Sequence, residues 1–148
     1  MLIGAHGTSK IAADFGAFIL KQLECFKTVR VQNGRNLIAG DFENLKFGGY
    51  LTISQSGNSQ TLLKAIKQAR EFNITCFNIV NVEDSPIAHI LEQLNDEEDD
   101  EAKNIGMYMK AGYCYCDVKS FIPQIVCVTL LALWFSYHKD KGQNSTLL

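Results

Sequence analysis

No stretch of the chain clusters lysine and arginine, and the formal net charge of its 148 residues is −2. A nucleic-acid surface needs such clusters to neutralise phosphates, so that class of partner is disfavoured. No CxxC pair occurs among the five cysteines, Cys25, Cys76, Cys114, Cys116 and Cys127. An odd number without paired spacing reads as reduced thiols of a cytosolic protein, most of them buried. Cys114-Tyr115-Cys116 has no second pair near it, and structural metal sites want four closed ligands, so no metal centre is expected. The opening, MLIGAHG, meets glycine too early for a signal peptide. The most apolar segment, IVCVTLLALWF at 125–135, falls short of the roughly 20 residues that span a bilayer. It reads as a buried helix, not a membrane anchor. Only two prolines interrupt the chain, and neither a repeat nor a linker divides it.

What is present is a globular composition, 47% hydrophobic and 20% charged. One domain, 1–148, with a sizeable core is expected. Strand and helix patterns alternate along it. MLIGA (1–5) reads as a strand. Ile11, Phe15, Phe18, Ile19 and Leu23 recur at helical spacing, giving a helix from about Ser9 to Cys25. A second strand surrounds Val29 and Val31, followed by a loop with Gly34, Gly40 and Asp41. GGYLTIS (48–54) is a third strand and Ser59–Phe72 a helix. TCFNIVN (75–81) is a fourth strand. A helix then starts at Ser85 as N-cap with Pro86 in its first position. GMYMKAG (106–112) is a fifth strand. A closing helix begins near Ser120, with Pro123 in its first turn.

Strands separated by helices imply parallel pairing with right-handed crossovers. The expected fold class is therefore α/β: a three-layer α-β-α sandwich on a five-stranded parallel sheet. Its commonest doubly wound order is flavodoxin-like, 2-1-3-4-5. The acidic run Asp96–Glu101, within a loop insertion at about 95–104, reads as a solvated surface loop.

In such a sheet, ligands bind beyond the carboxyl ends of the strands, where the order reverses. Here that point lies between the first and third strands. The loops after them are AHGTSK (5–10) and SQSGNS (54–59), the two richest in Gly, Ser and Thr. Each opens a helix, whose first N–H groups are unpaired and whose dipole end is positive. Gly7 and Gly57 permit close backbone approach. Thr8, Ser9, Ser54, Ser56 and Ser59 add hydroxyl donors. This chemistry suits an anion. Neither loop carries G-x-x-x-x-G-K-[ST], and Gly4-Ala5-His6-Gly7 does not fit G-x-G-x-x-G. A small phosphate monoester held without metal remains. The plainer alternative is that Ser9 and Ser59 only cap their helices. His6 lies in the same crevice and could touch the ligand when protonated. His89 reads as a surface or core-edge residue, and His138 as a complement to a helix C-terminal dipole.

At these residues the chain resembles the sugar isomerase (SIS) domain family of phosphosugar-binding proteins. Within that family it resembles the isomerase half of the glutamine–fructose-6-phosphate aminotransferases. The resemblance rests on IGAHGTS at 3–9, LTISQSGNSQTLLKAIKQAR at 51–70 and NVEDSPIAH at 81–89. The segment AG…VKSF…QIVCVTLLAL within 111–133 matches more loosely. It implies that Gly7, Thr8 and Ser9 line a sugar-phosphate pocket. It implies that Ser54, Gln55, Ser56 and Ser59 hold the phosphate. Val118 and Ser120 would fall in a third sugar-contacting segment. His6 stands where the aminotransferases have cysteine, and Asn58-Ser59 replaces glutamate–threonine.

The family's catalytic glutamate, ring-opening histidine and Schiff-base lysine lie in or after a second SIS domain. The resemblance therefore implies a fragment of a larger multidomain enzyme, with no catalytic residue of its own and no cofactor. It would bind fructose 6-phosphate or glucosamine 6-phosphate, pair as a homodimer and be cytoplasmic. Two other readings stand beside this one. The first is a non-catalytic phosphosugar-sensing regulatory domain, which expects a DNA-binding module that these residues do not contain. The second is a degenerate domain kept for dimerisation through the apolar closing helix with Trp134 and Phe135.

Overall fold

A computed structural model of the chain describes residues 1–43, 45, 48–95, 104–108 and 118–144. The elements in chain order are β1 (Leu2–Ala5), α1 (Gly7–Gln22), β2 (Arg30–Asn33), α2 (Gly40–Glu43) and β3 (Gly49–Ser54). They continue with α3 (Gln60–Glu71), β4 (Thr75–Val80), α4 (Pro86–Asn95), β5 (Asn104–Tyr108) and α5 (Val118–Asn144). The strands form one sheet in the order β2-β1-β3-β4-β5, and every pair is parallel. The α/β class, with helices on both faces of a parallel sheet, is as the alternation implied.

Side-chain alternation divides each inner strand between two cores. Ile3, Ala5, Leu51, Ile53, Phe77 and Ile79 face one cluster, which α1 and α5 complete with Ala13, Ala17, Leu20, Val128, Leu131 and Ala132. Leu2, Tyr50, Cys76 and Val80 face the other, beside Phe42 of α2, Leu62 and Ile66 of α3, and Ile87 of α4. Residues buried on both faces explain why these strands read as nearly continuous apolar runs.

Several boundaries depart from expectation. Helix α1 starts at Gly7, with His6 as its N-cap residue, so Ser9 lies inside the first turn and does not cap. Its core face is the small set Ala12, Ala13, Gly16 and Ala17 together with Leu20. The larger Ile11, Phe15 and Phe18, which marked the helical period, are exposed. Small residues face inward because α5 packs close: a Cβ on Gly16 would collide with the Val128 side chain.

The loop expected after β2 contains one helical turn, α2. Asp41 Oδ2 accepts the Ile38 N–H at 3.0 Å and pins its start, while Phe42 packs edge-on against Tyr50 at 5.3 Å. Ser59 and Ser85 behave as expected caps, accepting the N–H groups of Leu62 and Ala88 at 3.4 Å each. Strand β5 begins at Asn104, two residues ahead of expectation, while 109–112 and the acidic run 96–101 lie outside the described residues.

Helix α5 begins at Val118, so Pro123 is inside it, not in its first turn. Proline there removes one backbone bond of the helical ladder. By length and composition the segment Lys119–Lys139 is apolar enough to cross a membrane, longer than the 125–135 run suggested. Only 28% of that window is buried. One face, Ser120, Gln124, Val128, Leu131 and Ala132, packs inward, and the opposite face, with Ile122, Val126, Leu130, Leu133, Trp134 and Tyr137, is exposed. The helix is thus half-covered by α1 and the sheet and not fully buried, as the apolar run had implied.

Candidate functional site

The order reverses between β1 and β3, which lie side by side with Ala5 opposite Ile53. The loops leaving both strands therefore emerge next to each other. They enclose a pocket of about 300 Å³. His6, Gly7, Thr8 and Ser9 line it from the first loop; Ser54, Gln55, Ser56 and Ser59 line it from the second. Ile53 and Leu62 form its apolar floor. Seven residues singled out from the sequence, Gly7, Thr8, Ser9, Ser54, Gln55, Ser56 and Ser59, thus converge. Val118 and Ser120 open α5. Ser120 is buried there and is not among the described residues that line the pocket.

The second loop is held by its own hydroxyls. Ser54 Oγ accepts the Gly57 N–H at 3.1 Å and Ser56 Oγ accepts the Asn58 N–H at 3.3 Å. A hydroxyl that accepts internally keeps its hydrogen to donate outward. The loop is further tied down by Asn81 N–H to Gln55 O at 3.3 Å and Ile87 N–H to Gly57 O at 3.0 Å. Gly57 sits at φ +66°, and a Cβ there would meet Ser85. Only glycine takes that conformation cheaply. Gly7 has φ +51° at the start of α1, where nothing crowds it. The hydroxyls and the N-termini of α1 and α3 thus point donors at one space, an arrangement suited to an anion.

His6 has a structural task that its place in the crevice did not reveal. Its Nδ1 lies 3.0 Å from Asn33 Oδ1, and its Nε2 lies 2.9 Å from Ser59 Oγ and 3.0 Å from Thr61 Oγ1. Asn33 Oδ1 can only accept, so Nδ1 carries the hydrogen. In the neutral ring Nε2 then accepts from one of the two hydroxyls, which are themselves 3.1 Å apart. Both ring nitrogens are occupied by protein, so His6 holds the two loops and β2 together and is not free for a ligand.

Sequence reasoning missed Arg35, which lines the same pocket from the turn after β2. The available signal was the strand order itself: if β2 flanks β1, the Asn33-Gly34 turn that follows β2 borders the crevice. The remaining histidines lie elsewhere. Exposed His89 pairs with Asp84 at 2.6 Å, and the His138 ring packs on Trp134 at 4.6 Å. Of the described thiols only Cys76 is buried; Cys25 and Cys127 are partly exposed, fewer buried than expected. Cys114 and Cys116 lie outside the described residues. A larger hollow of about 610 Å³ lies between α3 and α4, lined by Leu63, Lys64, Lys67, His89 and Ile90. It is an open groove between the flanks of the two helices that reaches their first residues, Gln60 and Pro86.

No protein-family profile matches the chain. It is 26% identical over 145 residues to a probable glutamine–fructose-6-phosphate aminotransferase (isomerizing) of Acanthamoeba polyphaga mimivirus, spanning 97% of this chain and 22% of that protein. Among solved structures it superimposes on the C-terminal domain of glucosamine-fructose-6-phosphate aminotransferase from Francisella tularensis. There the TM-score is 0.69 at 20% identity, over 94% of this chain and 36% of that one. It superimposes likewise on the Vibrio vulnificus NanR protein complexed with ManNAc-6P, with TM-score 0.65 at 17% identity, over 97% and 52%. The chain thus spans about a fifth of the curated relative's length, and about a third and a half of these two structures. The fold is that of the sugar isomerase domains, as the resemblance of the SQSG and AHGTS segments implied.

Proposed function

We propose that the chain is a phosphosugar-binding SIS domain, and that the pocket between β1 and β3 holds the phosphate of fructose 6-phosphate or glucosamine 6-phosphate. The observation that carries this reading is the convergence of Gly7, Thr8, Ser9, Ser54, Ser56 and Ser59 on one space. In its finer form, the chain is the sugar-binding part of a glutamine–fructose-6-phosphate aminotransferase that makes glucosamine 6-phosphate. The mimivirus relative supports this. The described residues lining the pocket include no carboxylate and no lysine, and His6 among them has both ring nitrogens held by Asn33, Ser59 and Thr61, so in this reading they bind and orient the ligand. The domain is then one part, 1–148, of a larger cytoplasmic enzyme and silent by itself. Pairing of two copies is supported by the exposed apolar residues of α1 and α5.

A second reading, a phosphosugar-sensing regulatory domain, is favoured by that same lack of carboxylate and lysine among the described lining residues. Thermal unfolding with fructose 6-phosphate, glucosamine 6-phosphate and inorganic phosphate tests the binding common to both. A ligand that binds only the folded chain raises its Tm. The expected result is a rise that Ser56→Ala abolishes. No rise at millimolar ligand removes both readings. Turnover restored by adding the rest of an aminotransferase chain favours the enzyme part over the sensor.

A further inference from the structure

The cradle described so far is electrically neutral. Hydroxyls, an amide and backbone N–H groups supply its donors, whereas a phosphate monoester at neutral pH carries a charge between −1 and −2. Among the described residues lining the pocket, Arg35 is the one arginine or lysine. Its position is built. The Arg35 N–H donates to Asn33 Oδ1 at 3.1 Å, and Asn36 N–H donates to Asn33 O at 2.8 Å. Gly34 N–H donates to Ala5 O at 3.0 Å, which binds the turn to the end of β1. A Cβ on Gly34 would run into Leu62 and His6, so only glycine lets this turn come so near the crevice. The same Asn33 Oδ1 holds His6 Nδ1, and His6 in turn holds Ser59. One amide oxygen therefore sets both the backbone of Arg35 and the histidine that fixes the second loop. The Arg35 side chain is exposed, and no described carboxylate pairs with its guanidinium.

We infer that the Asn33–Arg35 turn is a third wall of the binding site and that the Arg35 guanidinium is the charge partner of the ligand's phosphate. The inference rests on the phosphosugar reading and deepens it. A guanidinium presents a planar fork of donors that matches two phosphate oxygens, which an ammonium does not. Arg35 would thus discriminate phosphorylated from unphosphorylated sugars, while the serines fix the geometry of the phosphate.

The test is calorimetric titration of the whole chain with fructose 6-phosphate and with inorganic phosphate at several salt concentrations. Arg35→Ala is expected to weaken binding about 10- to 100-fold, the range for hydrogen bonds to a charged group. Arg35→Lys is expected to recover part of that loss and Arg35→Gln less. The dependence of affinity on salt should flatten in Arg35→Ala, a change that loss of a merely structural contact would not produce. The ligand-free Tm should stay at the value of the unsubstituted chain. Arg35→Ala that binds as tightly as the unsubstituted chain, with the same salt dependence, overturns this assignment while leaving the pocket intact. Failure of the unsubstituted chain to bind either ligand overturns the phosphosugar reading and this one with it.

Discussion

His6 Nε2 lies 2.9 Å from Ser59 Oγ, a contact between residues 53 apart in the chain. It joins the N-cap of α1 to the N-cap of α3, and so ties the two halves of the cradle. His6→Ala should lower stability and weaken phosphate binding together, because both loops lose their common anchor. Urea unfolding of His6→Ala, Ser59→Ala and the double variant should give a coupling of about 0.5–3 kcal/mol. Strict additivity would mean that the contact is incidental.

Gly57→Ala puts a side chain on backbone at φ +66°, against Ser85. The expected cost is about 1–3 kcal/mol, read as a fall in Tm. Binding of inorganic phosphate should fall as well, since the turn carries Ser54 and Ser56. An unchanged Tm would show that the turn relaxes without strain.

Gly16→Val should loosen α5. The new methyls would meet Val128 in a packed core, where overpacking costs about 1–3 kcal/mol. Val128→Ala should relieve that cost in the double variant. Denaturant midpoints of the three variants check this, and no relief would place the clash elsewhere.

What could be read beforehand divides along physical lines. Parallel strands buried on both faces leave unbroken apolar runs, so β3 and β4 were legible to within a residue or two. Caps leave a local mark, so Ser59 and Ser85 were legible as well. Helix α1 was legible as a helix, but three of the residues that marked its period, Ile11, Phe15 and Phe18, lie on its exposed side. Periodicity counts large apolar residues, and close packing against α5 selects small ones. The two Gly/Ser/Thr loops could be placed together because topology requires it. Arg35 was missed although the expected order already set β2 beside β1, because no local pattern marks the turn after β2 as part of the crevice. The task of His6 was hidden for the same reason: its partners come from β2 and from the start of α3.

Alkaline pH should destabilise the fold through its buried acids. Burial pushes the Cys76 thiol up from 9.0 to about 12, and burial likewise raises the Tyr50 hydroxyl above its usual range. A raised folded value means the stabilising effect is intact below about pH 9 and lost as pH climbs toward 12, because the unfolded thiol ionises first. Tm should therefore fall steadily from pH 9 upward, and Cys76→Ala should flatten that decline. An identical pH slope in the variant would assign the effect to other groups.

Strand β1 sits inside the sheet, with Leu2 opposite both Arg30 and Tyr50. None of its pairings is a hairpin, so each closes a long loop of chain before it yields a contact, and such pairings form slowly. The contact between His6 and Ser59 waits on the same event. The second loop has internal bonds of its own, but the first loop is joined to it only once the two strands are side by side. The proposed anion cradle is thus completed in one step, when β1 and β3 meet, and a chain stalled before that step would be compact in parts with its two loops still apart.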